Sequence, residues 1–244
     1  QFLADRHFGI GCDQVLVLGP AQTPGADVSY RIYNADGGEV AQCGNGARCA
    51  ASYLHDHGLV SKDEIVAETS NGILTLYTER DGLVRVNMGV PRFEPKEIPI
   101  DIDDRAAHYR LSAGQAGLEA AILSMGNPHA VILVDNVEQA PVQVLAPQVQ
   151  QDALFPEGVN VGFMQIVDKT HIRLRVYERG AGETLACGSG ACAAVVAGCQ
   201  DGLLQGTVDV ELRGGNLAIT WQGEGEPVWM TGPAATVYEG RIDL

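Results

Sequence analysis

Two cysteines, Cys43 and Cys187, have matching surroundings: a strand-like run and a glycine-bearing loop precede each, and Gly-x-Gly with an alanine-rich stretch follows. That order sets each thiol at a helix N-terminus, where unsatisfied N–H groups and the macrodipole favour negative charge. Such a position is expected to draw a cysteine pKa from about 8.5 toward neutrality. The glycines after each cysteine let a ligand approach the backbone, so a carboxylate could rest between two facing helix starts. One such thiol would suggest a nucleophile with a histidine partner. Two related by repetition suggest inversion of an α-carbon, one thiolate removing the proton while the other thiol donates to the opposite face. The carbanion would need preorganised N–H donors and exclusion of water. A pyridoxal cofactor would require a Schiff-base lysine, and Lys62, Lys96 and Lys169 all lie outside the repeated motif. Cofactor-free chemistry is therefore expected.

The elements that must hold these thiols repeat as well. Arg31 to Ala51 lies over Arg175 to Val195 at a constant offset of 144, matching Tyr33 with Tyr177 and Glu39 with Glu183. Past Gly72 the offset slips by one. Two copies of a long unit exclude a solenoid and predict two pseudo-symmetric lobes. Residues 28–33 and 172–177 alternate as half-buried strands do. Helices are expected over 47–57 and 191–200, stopped by Gly58 and Gly202. Strands should follow over 65–69, 73–78 and 84–88, then 208–212, 217–221 and 228–231, and 122–135 reads as a strand broken by a Gly-Asn-Pro turn. The fold class is then α+β, each lobe a mostly antiparallel sheet curled around one central helix. The N-terminal lobe would span 1–90, completed by 233–244, and the C-terminal lobe 91–232.

The net charge of −15 opposes binding to nucleic acid or anionic membrane. No apolar run is long enough to span a bilayer. Six cysteines in 244 residues are sparse for a disulfide framework, and reduced thiols in a cytoplasmic protein are the better reading. None has Cys-x-x-Cys spacing, so no metal site is expected. Cys12, Cys49, Cys192 and Cys199 read as packing residues.

Together these residues resemble the diaminopimelate epimerase family. The likeness rests on NADGGEVAQCGNGARC from Asn34 to Cys49 and YERGAGETLACGSGAC from Tyr177 to Cys192, joined by SMGNPH from Ser124, VNVGF from Val159 and GIGCDQ from Gly9. The resemblance implies interconversion of LL- and meso-diaminopimelate, in lysine and peptidoglycan precursor synthesis, with Cys43 and Cys187 as the acid/base pair. Gly44, Asn45, Gly188 and Ser189 match the positions whose amides hold the reacting carboxylate. Gln14, Asn34, Asn127, Asn160, Glu178 and Arg179 match substrate-binding positions, and His129 with Glu178 match positions that adjust the thiols. Bland alternatives stand beside these: Asn34 and Asn160 as turn formers, Arg179 as a surface ion pair, His129 as a satisfied core histidine.

Three rivals remain at this level. A proline racemase-like enzyme also uses two cysteines, but proline has no second head for Glu178 and Arg179 to bind. A catalytically silent binding module and a thiol redox protein are the others. The family pattern opens with a strand and a G-x-G-N-D-F motif that this chain does not show, and the repeat likewise leaves Asn127 without a partner before Gln1. An exposed sheet edge is expected in the N-terminal lobe, prone to pairing with another chain, with a homodimer as one form. Restoring about 25 to 30 upstream residues should raise melting temperature and activity together. Identical melting and turnover with and without them would refute that expectation.

Overall fold

The computed structural model describes residues 1–40, 44–70, 72–113 and 117–242. It divides into two units, Gln1–Asn87 with Thr231–Leu244, and Met88–Met230. No helix among the described residues is long and apolar enough to cross a membrane.

The first unit contains β1 (Gln14–Gly19), β2 (Val28–Asn34), the short β3 (Glu39–Val40), α1 (Gly44–Asp56), β4 (Glu64–Thr69), β5 (Gly72–Thr78) and β6 (Leu83–Asn87). Its strands run in the order β1-β2-β4-β5-β6, with β3 pairing off β2. All these pairs are antiparallel except β2 with β4. Helix α1 packs on β1, β5 and β6. It buries Ala47, Ala50, Ala51 and Leu54, the three-and-four spacing of a one-sided helix.

The second unit adds β7 (Tyr109–Leu111), β8 (Leu118–Ser124), β9 (Pro128–Leu133), α2 (Val142–Gln150), β10 (Asn160–Asp168), β11 (His171–Glu178), β12 (Gly182–Thr184), α3 (Gly188–Gln200), β13 (Thr207–Leu212) and β14 (Gly215–Thr220). The order is β14-β13-β11-β10-β9-β8-β7, with β12 off β11. β9 runs parallel to β10, and β11 parallel to β13. A final strand, β15 (Trp229–Pro233), carries the chain from the second unit back into the first. The class is α+β.

Helix α3 is buried from Ala191 through Gly198, packed against β8, β9, β10, β11 and β14. Its valines are poor helix formers by roughly half a kcal/mol each. Burying Val195 and Val196 completely contributes about 1.5 to 3 kcal/mol apiece, so packing decides the conformation. Both main helices begin at 44 and 188, three residues before their expected starts, because Gly-x-Gly is itself the first turn. The segment 122–135 does form a hairpin, turning at Gly126 with φ +89°. Helix α2, with Pro147 inside it, was not foreseen.

The repeat extends further than the sequence offset shows. Gln14 pairs with Asn34 across β1 and β2. Val161 pairs with Tyr177 across β10 and β11, which sets Asn160 beside Glu178 at the equivalent place. Gln14 and Asn160 are thus counterparts at an offset of 146, invisible to a search at 144.

Gly46, the second glycine of the first motif, is needed for room. A Cβ on Gly46 would lie 2.6 Å from the Tyr30 hydroxyl and 2.9 Å from Leu16 Cδ2, and Tyr30 is fully buried. Alanine gains about 1 kcal/mol in helix propensity over glycine, whereas overpacking costs about 1 to 3. Gly46→Ala should therefore lower the melting temperature. An unchanged or higher value would show that the start of α1 can shift to accept a methyl group.

Candidate active site

In the second unit the candidate residues gather around the β11–β12 hairpin. β11 ends at Glu178, the chain turns through Arg179 to Ala181, and β12 returns toward Cys187, the N-cap of α3. The backbone of Cys187 is extended, at φ −129° and ψ 112°, and its sulfur accepts from the Gly190 N–H at 3.4 Å. Its carbonyl accepts from the Ala191 N–H. With those two donors used, the amides of Gly188 and Ser189 remain as helix-start groups that the helix itself cannot satisfy.

The Cys187 thiol differs from its expected state. It is 5% exposed, and burial, reinforced by the nearby Glu178 carboxylate, pushes its pKa up to about 12. The Ser189 hydroxyl, 3.6 Å away, and the Gly190 amide pull the other way but are outweighed. The helix terminus is the weaker influence because desolvation acts on the whole charge of a thiolate. At neutral pH Cys187 is a thiol. Glu178 itself is oriented by the Thr184 hydroxyl, which donates to its Oε1.

Behind this hairpin lies a polar line. Asn160 is 4% exposed; its Oδ1 accepts from the Arg179 backbone N–H at 3.0 Å and its Nδ2 donates to the Pro128 carbonyl at 3.2 Å. Across the parallel ladder Asn160 pairs with His129. His129 is completely buried, and its Nε2 donates to Asn127 Oδ1 at 3.0 Å. Burial first, then the positive Arg179, depresses its pKa to about 3, so the ring is neutral and orients Asn127. The Arg179 side chain is exposed, with Nη1 donating to the Glu157 carbonyl at 2.7 Å. Asn127, His129, Asn160, Glu178, Arg179, Cys187, Gly188 and Ser189 thus form one connected group within this unit.

The first unit carries the repeat's counterpart residues. Gln14 Nε2 donates to Asn34 Oδ1 at 3.0 Å. Gly44 and Asn45 open α1, where the buried Arg48 ties Asn45 Oδ1 at 2.9 Å, the Gly44 carbonyl at 3.4 Å and the Pro233 carbonyl at 3.2 Å. Cys43 lies outside the described residues. Sequence reasoning passed over Arg48 and Thr184. Their signal was only their place inside motifs read for cysteine and glycine.

Comparison with known proteins bears on this arrangement. The diaminopimelate epimerase family model matches residues 1–94 and 121–237. This chain belongs to the diaminopimelate epimerase family. The diaminopimelate epimerase of Nitrosomonas eutropha is 57% identical over 242 residues, covering 99% of this chain and 87% of the relative. That of Nitrosospira multiformis is 55% identical with the same coverage. Among solved structures, a probable proline racemase from Agrobacterium radiobacter superposes with a TM-score of 0.74 at 21% identity, covering 100% of this chain and 79% of the other. A hydroxyproline epimerase from Agrobacterium vitis gives 0.69 at 18% identity, covering 95% and 76%. These two share the fold.

The buried neutral histidine has a consequence for stability. His129 titrates near its ordinary pKa of about 6.5 when unfolded but only near 3 when folded. Its stabilising contribution is therefore present above pH 6.5 and lost as pH falls toward 3, because the unfolded chain binds the extra proton. Melting curves between pH 6.5 and 3.5 should fall more steeply for the wild type than for His129→Gln. Parallel curves would show that the ring protonates in the folded protein.

Proposed function

We propose that this chain interconverts LL- and meso-2,6-diaminopimelate by moving one α-proton through two cysteines, as an isomerase that uses no cofactor. The observation that carries the reading is the repeated unit of strand, turn, cysteine, Gly-x-Gly and helix, present within a chain of this family. Its place is the supply of lysine and of peptidoglycan precursor in the cytoplasm.

In this scheme Cys187 starts as the proton donor, since its thiol keeps its proton far above neutral pH. Cys43, its counterpart in the repeat, starts as the thiolate that removes the α-proton. For the reverse reaction the two exchange roles, as microscopic reversibility requires. The amides of Gly188 and Ser189, with those of Gly44 and Asn45, bind the carboxylate at the reacting carbon, where preorganised donors stabilise the charge that develops. A dry site strengthens each of these contacts.

Diaminopimelate has a second amino-acid head. The guanidinium of Arg179 offers a planar fork suited to a carboxylate, and Glu178 would accept from an ammonium. Asn34, Gln14, Asn127 and Asn160 add amide contacts. Proline has no such second head, which favours diaminopimelate over the proline racemase-like alternative. A homodimer is the assembly we favour.

Turnover of LL-diaminopimelate without added cofactor tests the reading. Cys43→Ala and Cys187→Ala should each abolish it at neutral pH, and near-normal turnover by either would exclude the two-cysteine scheme. Arg179→Ala should impair diaminopimelate far more than an analogue lacking the distal carboxylate, by about 1.5 to 3 kcal/mol of binding. Equal losses on both would remove Arg179 from distal recognition.

A further inference from the structure

Outside the site lies a buried charged cluster that the reaction does not use. Arg175, on β11, is 9% exposed. Its Nε and Nη2 grip Glu183 Oε1 and Oε2 at 2.7 and 3.1 Å, and its Nη1 donates to the carbonyls of Val137 and Ala140 at 3.0 and 3.3 Å. Glu183 also accepts from Gln143 Nε2 at 2.7 Å and pairs with Arg213 Nη1 at 2.9 Å. Its carboxyl stays below the usual range, held there first by Arg175 and then, against burial, by Gln143 and Arg213.

The location of this pair gives it a role. Glu183 is the middle residue of β12, which has only three residues and three paired positions on β11. So short a strand holds its place weakly by backbone bonds alone. Four residues beyond Glu183 comes Cys187, and β11 itself ends at Glu178. The fork therefore clamps together the two strands that deliver Cys187 and Glu178.

The same clamp occurs in the other copy. Arg31 Nε and Nη2 meet Glu39 Oε1 and Oε2, on the same diagonal of the β2–β3 hairpin, four residues before Cys43. There the side chains are 53% and 29% exposed, where an ion pair adds little stability. In the buried copy desolvation offsets much of the attraction. Stability explains neither copy well; what the two share is a fixed hairpin leading into a cysteine.

We infer that the Arg175–Glu183 pair is a positioning device, which locks β12 onto β11 and so fixes where the Cys187 thiol stands relative to Glu178 and the start of α3. The inference rests on Cys187 being one of the two acid/base groups. A displacement of about 1 Å at a reacting group can cost about 100-fold in rate.

The test compares Glu183→Gln with Val149→Ala, a substitution in the buried core of α2 that lowers stability while keeping both members of the Arg175–Glu183 pair. Two quantities are read: kcat and KM for LL-diaminopimelate, and the rate at which iodoacetamide alkylates Cys187 in the folded protein, followed by peptide mass spectrometry. Glu183→Gln should lower kcat by about 100-fold with KM nearly unchanged, and should speed alkylation of Cys187 at least several-fold. Arg175→Lys, which keeps the charge but loses the fork, should fall between it and the wild type. Val149→Ala should leave both readouts near wild type despite a lower melting temperature. Wild-type kcat and alkylation in a folded Glu183→Gln, or equal changes in Val149→Ala at matched melting temperature, would overturn the inference. If Glu183→Gln does not fold, Arg213→Gln removes one exposed partner from Glu183 and should shift both readouts in the same direction by less; no shift would overturn it too. Should the wild type itself lack epimerase activity, the functional reading fails, while alkylation still reports on the clamp.

Discussion

The second unit is organised around keeping one thiol dry at the start of a helix. Helix α3 is buried along most of its length, Gly188 in its first turn included, and its N-cap Cys187 is buried too. There the unsatisfied amides of the first turn, the Cys187 sulfur and the Glu178 carboxylate meet in a poorly solvated place. Desolvation makes each amide a stronger donor to an anion and makes the thiol a poorer acid. A resting thiolate on Cys187 is disfavoured there, and under the proposed reaction it is the free amides of Gly188 and Ser189 that would hold the carboxylate against that penalty. The apolar helix, the tight glycines and the hairpin that brings Cys187 to the helix start all serve this one condition.

The two copies are alike in backbone and unlike in charge. Asn34 stands where Glu178 stands, and Arg48 stands where Cys192 stands. A buried guanidinium lies at the start of α1, and a carboxylate lies near the start of α3, where it raises the pKa of Cys187. Under the proposed reaction this sets the resting proton on Cys187. In that scheme pseudo-symmetry supplies two similar groups, and the substitutions between the copies decide which one starts with the proton.

Much of this was legible in the residues because the repeat is legible. Matching Tyr33 to Tyr177, Glu39 to Glu183 and Cys43 to Cys187 needs no structure, and the glycines that follow the cysteines signal both the close backbone approach and the helix starts. The Gly-Asn-Pro turn of the β8–β9 hairpin was equally plain. Other features depend on tertiary context. A proline inside α2 hid that helix. Gln14 and Asn160 became counterparts only when strand register replaced a fixed offset. The direction of the Cys187 shift was misjudged because a sequence shows that a cysteine caps a helix but not how deeply the cap is buried. His129, open in the sequence between a core and a functional reading, is a buried, neutral histidine hydrogen-bonded to Asn127.

The central claim is that two separate groups handle the proton, and its most direct test is isotopic. LL-diaminopimelate is mixed with the enzyme in D2O and sampled while only a small fraction has reacted, and both isomers are analysed by mass spectrometry. Two cysteines on opposite faces predict that the meso product carries one solvent deuteron while the unreacted LL isomer remains undeuterated. Deuterium entering the remaining LL isomer as fast as it enters the product would mean that one group serves both faces, and would contradict the account.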